Sequence, residues 1–128
     1  MVKTYFFDTY ALIEIEKGNE NYIPYKEANV ITTMLNIMEF YSSLLIDFKH
    51  EIAEEGFEYY SESSVTIPDE VFKEAVWFRL EMMKKFMKKD GRPSYVDCIG
   101  YVIARRMGIK FLTGDKLFEN LDNVEFIK

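Results

Sequence analysis

Four carboxylates, Asp8, Glu39, Asp97 and Asp115, each stand at the edge of an apolar segment. Asp8 ends the run 2–7, and Glu39 lies inside the apolar stretch 34–45. Asp97 falls in the first turn of an apolar helix expected to start at Ser94, and Asp115 follows the run 110–112 through Thr113 and Gly114. Acids are seldom placed in apolar surroundings unless they are paired or hold a metal. If the four converge, their mutual repulsion calls for a cation, and hard oxygen ligands suit Mg²⁺ or Mn²⁺. One or two such ions would polarise a phosphate, activate a water and stabilise a leaving oxygen, which is the chemistry of phosphodiester hydrolysis.

Other chemistries find less to work with. The single cysteine, Cys98, forms no disulfide within the chain and reads as a small packed hydrophobe. A catalytic thiol would want a histidine partner, yet the only histidine, His50, sits in a charged stretch that reads as a solvated helix end. A structural zinc site lacks its Cys and His ligands. A phosphotransferase using Asp8 as nucleophile would want a second aspartate two residues on, where this chain has Tyr10.

The elements that must position the acids follow from pattern and punctuation. Residues 2–7 read as a strand, and Asp8 or Thr9 caps a helix carrying Ala11, Leu12 and Ile15 that stops at Gly18. A loop over 19–27 leads to a β-branched strand at 30–32. Thr33 then caps a helix that runs to about Lys49, with Leu35, Met38, Leu45 and Phe48 at helical spacing. A more acidic helix spans 51–60, and a third strand is expected at 65–67, stopped by Pro68. A long helix reaches about Met87 with Val71, Ala75, Phe78, Leu80 and Met82 on its apolar side, and 88–93 is a break. The helix capped by Ser94 carries Val96, Ile99, Val102 and Ile103. A strand at 109–112, a short helix at 117–120 and a last strand at 124–127 complete the pattern.

Strands alternating with helices argue for an α/β fold with a parallel sheet and helices on both faces. In such folds ligands bind beyond the carboxyl ends of the strands, at a switch in strand order. Asp8 and Asp115 both occupy strand carboxyl ends in this reading. Around them, Ser94 would hold the start of the helix bearing Asp97, and Thr113 could orient a carboxylate or a water. Gly114 permits close backbone approach, Lys116 could meet a phosphate, and Asn36 shares a helix face with Glu39. Each acid except Glu39 also has an ordinary role: Asp8 as a helix cap, Asp97 as a first-turn acid and Asp115 as a turn residue.

At these residues the chain resembles the PIN-domain family of nucleases. The matching segments are FFDTYAL (6–12), NIMEF (36–40), SYVDCI (94–99) and FLTGDKLF (111–118), in the family's order and approximate spacing. The resemblance implies a three-layer α/β/α sandwich with a central parallel sheet, formed as a single domain over residues 1–128. It also implies Mg²⁺- or Mn²⁺-dependent cleavage of RNA, with Asp8, Glu39, Asp97 and Asp115 as the acidic, metal-holding quartet and Thr113 as its supporting hydroxyl. Many stand-alone members are toxin ribonucleases that dimerise and are held inactive by an antitoxin protein, so a homodimer and such a partner are implied here.

Composition sets the frame. The chain has 128 residues, 48% of them hydrophobic, which suits one packed core. No run approaches the length of a membrane span and the N-terminus has no signal pattern, so a cytoplasmic protein without membrane contact is the expectation. The absence of Gln and the wealth of Glu, Lys, Ile, Phe and Tyr resemble proteins from hot environments. The net charge of −6 weighs against a nucleic-acid binder. The charge is uneven, however: acids cluster over 51–62, while Lys84, Lys85, Lys88, Lys89 and Arg92, followed by Arg105, Arg106, Lys110 and Lys116, form a basic lip or a solvated helix end. Of the aromatics Tyr5, Phe6, Phe7, Tyr59, Tyr60, Trp77 and Phe78, most are expected in the core, with exposed ones free to form a dimer face. The competing expectation is a catalytically silent module of the same fold that binds protein or RNA.

Overall fold

The computed structural model describes residues 2–86 and 91–128. Met87 and the break at 88–90, with Lys88 and Lys89 of the basic run, lie outside the described residues. Four short strands, β1 (Thr4–Phe7), β2 (Asn29–Ile31), β3 (Lys110–Thr113) and β4 (Val124–Phe126), form one parallel sheet in the order β2-β1-β3-β4. Five helices surround it: α1 (Thr9–Lys17), α2 (Met34–Asp47), α3 (His50–Ser61), α4 (Asp69–Phe86) and α5 (Tyr95–Met107). Among the described residues no helix is long and apolar enough to cross a membrane.

The alternation of strand side chains builds the three layers. Phe6 and Phe111 point to one face and pack with Val71, Ala75 and Met82 of α4 and Cys98, Val102 and Ala104 of α5. Tyr5, Phe7 and Leu112 point to the other and pack with Leu12 of α1, Ile37, Phe40 and Leu44 of α2 and Ala53 of α3. Both faces are covered, as an all-parallel sheet requires. Gly100 lets α5 lie close on the sheet, because a Cβ there would stand 2.6 Å from the Phe6 ring.

Capping follows local rules. Asp8, Thr33 and Ser94 accept backbone N–H groups at the starts of α1, α2 and α5, and Gly18 and Gly108 close α1 and α5 with positive φ.

The structure departs from the sequence expectations at several points. Residues 65–67 form no strand; a single parallel bridge joins Ser64 to Thr32, with Val65 N–H donating to the Thr32 carbonyl. The ladder stops because the neighbouring chain turns into the Thr33 cap of α2, leaving nothing to pair with. On α2 the buried residues are Asn36, Ile37, Phe40 and Leu44, while Met38 is 57% exposed. The run is apolar nearly all round, so its spacing alone did not select the inward face. Leu80 is 43% exposed, since it lies off the stripe formed by Val71, Ala75, Phe78 and Met82. The helix α2 ends at Asp47 rather than Lys49, and the expected loop 19–27 contains a 3₁₀ turn over Glu20–Tyr25.

Candidate active site

The chain leaves β2, runs through four helices and returns at β3 on the far side of β1, so strand order reverses between β1 and β3. The crevice beyond their carboxyl ends is where such sheets bind ligands. Phe7 pairs with Leu112, and Asp8 N–H donates to the Leu112 carbonyl at 3.3 Å, which sets Asp8 next to Thr113. Asp8, Glu39, Asp97 and Asp115 all line a cleft of about 560 Å³ at this place, together with Ser94, Lys116, Thr9, Tyr10, Gly114 and Lys128. Thr113 lies buried beneath it.

Each acid is held by its element and its neighbours. Asp8 is 1% exposed and caps α1 by accepting the Ala11 N–H at 2.8 Å, so its cap role and its place in the cleft coexist. Burial above all holds its carboxyl well above the usual range; Asp97 and Asp115 add to this, while the Thr113 hydroxyl and the Ala11 N–H work against it. Asp97 is pushed up to about 7 by burial first, then by Asp115 and Glu39, with the Ser94 hydroxyl opposing. Ser94 Oγ also accepts the Asp97 N–H at 3.0 Å, the N-cap bond that opens α5. Asp115 caps the 3₁₀ turn Lys116–Phe118 through Leu117 N–H, and its own N–H donates to Thr113 Oγ1.

Glu39 is held by a chain of polar groups. Thr9 Oγ1 donates to Glu39 Oε1 at 2.6 Å, Asn36 Nδ2 donates to Thr9 Oγ1 at 3.2 Å, and Thr33 Oγ1 donates to Asn36 Oδ1 at 2.7 Å. Gly114 lies under Tyr10: a Cβ there would stand 2.1 Å from the Tyr10 ring and 2.7 Å from the Ile127 carbonyl. Thr9, Tyr10 and Lys128 escaped sequence reasoning. The hydroxyl directly after Asp8 was a signal for Thr9; nothing local marks Lys128, whose Nζ donates to the Gly114 carbonyl at 3.4 Å.

Among the described residues the expected basic lip contributes one cation to the cleft. Of the cations proposed for it, Lys116 lines the cleft, whereas Arg105 and Arg106 pair with Glu74 and Lys110 pairs with Glu125. Cys98 is buried, with its thiol raised to about 12 by burial first and then by Asp97, which keeps it a packed, neutral group.

Four carboxylates with neighbouring hydroxyls make an all-oxygen donor set suited to a hard divalent cation. Burial first and mutual repulsion second hold the Asp8 and Asp97 carboxyls up, and both are conditions that a bound cation relieves. Among the described residues no three acids, histidines or cysteines form a ready-made group that could hold an ion as they stand. Side-chain rotation into the cleft is therefore part of any metal binding here.

The PIN domain family profile matches residues 5–124. The chain belongs to the PIN domain family. Solved structures share its fold: a toxin–antitoxin complex from Klebsiella pneumoniae superposes with a TM-score of 0.74 at 17% identity, over 94% of this chain and 95% of that one. VapC20 of Mycobacterium tuberculosis, a toxin described as cleaving the sarcin–ricin loop, gives 0.73 at 15% identity over 97% and 99%. A Pyrobaculum aerophilum protein gives 0.67 at 16% identity over 98% and 89%. No curated protein matches the chain. The four-stranded parallel sheet between helical layers is thus a PIN sandwich, and the cleft lies at the carboxyl edge of that PIN domain.

Proposed function

We propose that this chain, as one domain over residues 1–128, is a divalent-metal-dependent endoribonuclease and the toxin of a toxin–antitoxin pair. The observation that carries the reading is the gathering of Asp8, Glu39, Asp97 and Asp115 around one cleft at the β1/β3 switch of a PIN fold. The toxin–antitoxin complex and the sarcin–ricin-loop-cleaving toxin that share the fold support the choice of RNA as substrate and of an antitoxin as partner.

In this reading the four acids hold one or two Mg²⁺ or Mn²⁺ ions, which supply phosphate polarisation, an activated water and leaving-oxygen stabilisation when bound. The chain's own residues prepare the site. Thr9, backed by Asn36 and Thr33, fixes the Glu39 carboxylate, while Ser94 and Thr113 do the same for Asp97 and Asp8. Lys116 and Lys128 at the cleft offer positive charge to a phosphate in a protein whose net charge is −6. An exposed stripe on α4, Phe72, Val76, Leu80 and Trp77, the last 69% exposed, supplies the apolar surface of a homodimer. The chain works in the cytoplasm.

Calorimetric titration with Mn²⁺, paired with RNA cleavage assays on wild type and Asp97→Asn, tests the proposal. Binding and cleavage that both vanish in the variant are expected. Wild-type protein that binds no divalent ion and leaves RNA intact would overturn it and favour the second reading, a catalytically silent PIN module. The acidic run on α3 is the observation on that side.

A further inference from the structure

The acidic run of α3 takes no part in the carboxylate cleft. From His50 to Phe72 the chain holds no lysine or arginine, while α3 and its end carry Glu51, Glu54, Glu55, Glu58 and Glu62. None of these acids belongs to an ion pair among the described residues. On the same side of the sheet, between α1 and α3 and floored by Phe7, opens a second cavity of about 490 Å³.

Its construction is specific. Tyr25, Tyr59 and Tyr60 give it aromatic walls, and Glu16 of α1 and Glu55 of α3 line it. The rings of Tyr59 and Tyr60 meet at 84° with centroids 4.9 Å apart, forming two walls at right angles. Tyr60 is only 7% exposed, yet its hydroxyl has no hydrogen-bond partner among the described residues. No sealed side-chain oxygen lacks a partner there, so that hydroxyl opens into the cavity it lines. Burial first, then Tyr59 and Glu16, raise the Tyr60 phenol to about 12, which places the Glu16 charge within reach of the ring. Lys26 lines the cavity too and forms no ion pair among the described residues; against the two carboxylates it leaves the lining with a net negative charge.

We propose that this cavity is a binding site for an organic cation, an alkylammonium or guanidinium group. The carboxylates supply the charge, the exposed Tyr59 ring attracts a cation through its quadrupole, and the hydroxyl of the packed Tyr60 accepts an N–H hydrogen bond. A hydrated metal ion would gain nothing from aromatic walls, and the net negative lining disfavours an anion. Two sources offer the same chemistry: a free polyamine, or a Lys or Arg side chain presented by a partner chain. The site is distinct from the cleft of Asp8 and Asp97 and does not depend on RNA cleavage.

Calorimetric titration with spermidine and with Nα-acetyl-lysine and Nα-acetyl-arginine methylamides tests the proposal, using wild type, Glu16→Gln/Glu55→Gln, Tyr60→Phe and Asp97→Asn. Wild type and Asp97→Asn are expected to bind a probe equally. The glutamine pair should weaken it about tenfold without a change in melting temperature, because Glu16 and Glu55 are exposed. Tyr60→Phe should weaken it less. Spermidine binding alone identifies a free polyamine as the ligand; binding of an amide at the same variant-sensitive site identifies a side chain. No binding by any probe overturns the proposal. So does binding that survives Glu16→Gln/Glu55→Gln, or binding that is lost in Asp97→Asn.

Discussion

The Thr9 hydroxyl donates a 2.6 Å hydrogen bond to Glu39 Oε1, joining two residues thirty positions apart in the chain. It fixes an acid that, unlike Asp8 and Asp115, caps no helix or turn of its own. Replacing Thr9 with Val would leave Glu39 free to swing and the Asn36 amide short of an acceptor. Mn²⁺ affinity is expected to fall on the order of tenfold, with a stability loss of about 1 kcal/mol. Thr9→Ser should restore both. Calorimetry and thermal melts on the three proteins check this, and unaltered Mn²⁺ affinity in Thr9→Val would remove Thr9 from the site.

Asp97 gives the protein a pH signature. Its carboxyl titrates near 7 in the folded chain, against about 3.9 in an unfolded one. The folded state therefore holds a proton that the unfolded state releases between those values. The stability tied to this proton is intact below about 4 and is lost as pH rises through about 7. Wild type and Asp97→Asn should melt together near pH 4, and the variant should become progressively the more stable of the two between pH 5 and 8 in metal-free buffer. A gap that stays constant with pH would show that Asp97 titrates as an ordinary aspartate. Metal binding runs the other way, because it needs the ionised carboxylate: wild-type Mn²⁺ affinity should rise from pH 6 to pH 8.

Two glycines are fixed by what lies against them. A Cβ on Gly100 would stand 2.6 Å from the Phe6 ring, between α5 and the sheet. Gly100→Ala is expected to destabilise by about 1–3 kcal/mol through overpacking. At Gly114 the obstruction is the Tyr10 ring and the Ile127 carbonyl, at the wall of the cleft itself. Gly114→Ala should therefore weaken Mn²⁺ binding as well as lowering the melting temperature, whereas Gly100→Ala should act on stability. Equal effects of both on metal affinity would contradict this division.

The homodimer proposed above uses the exposed stripe of α4, of which Trp77 is the most exposed residue. Trp77→Glu on the exposed stripe of α4 should shift sedimentation from dimer to monomer without loss of helical content. A wild-type protein that sediments as a monomer at high concentration would dismiss this face as an interface.

Much of the architecture was legible in local signals. Asp8, Thr33, Ser94, Gly18 and Gly108 marked helix ends that the structure places where expected, because capping depends on a few adjacent residues. The strand expected at 65–67 failed for a non-local reason: its β-branched residues suit a strand, but the chain beside it had already turned into α2. The face of α2 was equally hidden, since Met38 and Phe40 are both apolar and only packing against Ala53 and Tyr60 separates the buried one from the exposed one.

By itself the sequence determined the residue types, their order and the family, because motifs around Asp8, Glu39, Asp97 and Asp115 survive as local strings. Tertiary structure alone decided that these acids share a cleft, that Thr9 reaches Glu39 and that Lys128 returns to Gly114. It also decided that the tyrosines around Glu16 and Glu55 enclose a second cavity. Strands of three or four residues carry too little pattern to fix their own register, so these meetings depend on sheet order and two-sided packing, which no local stretch of sequence encodes.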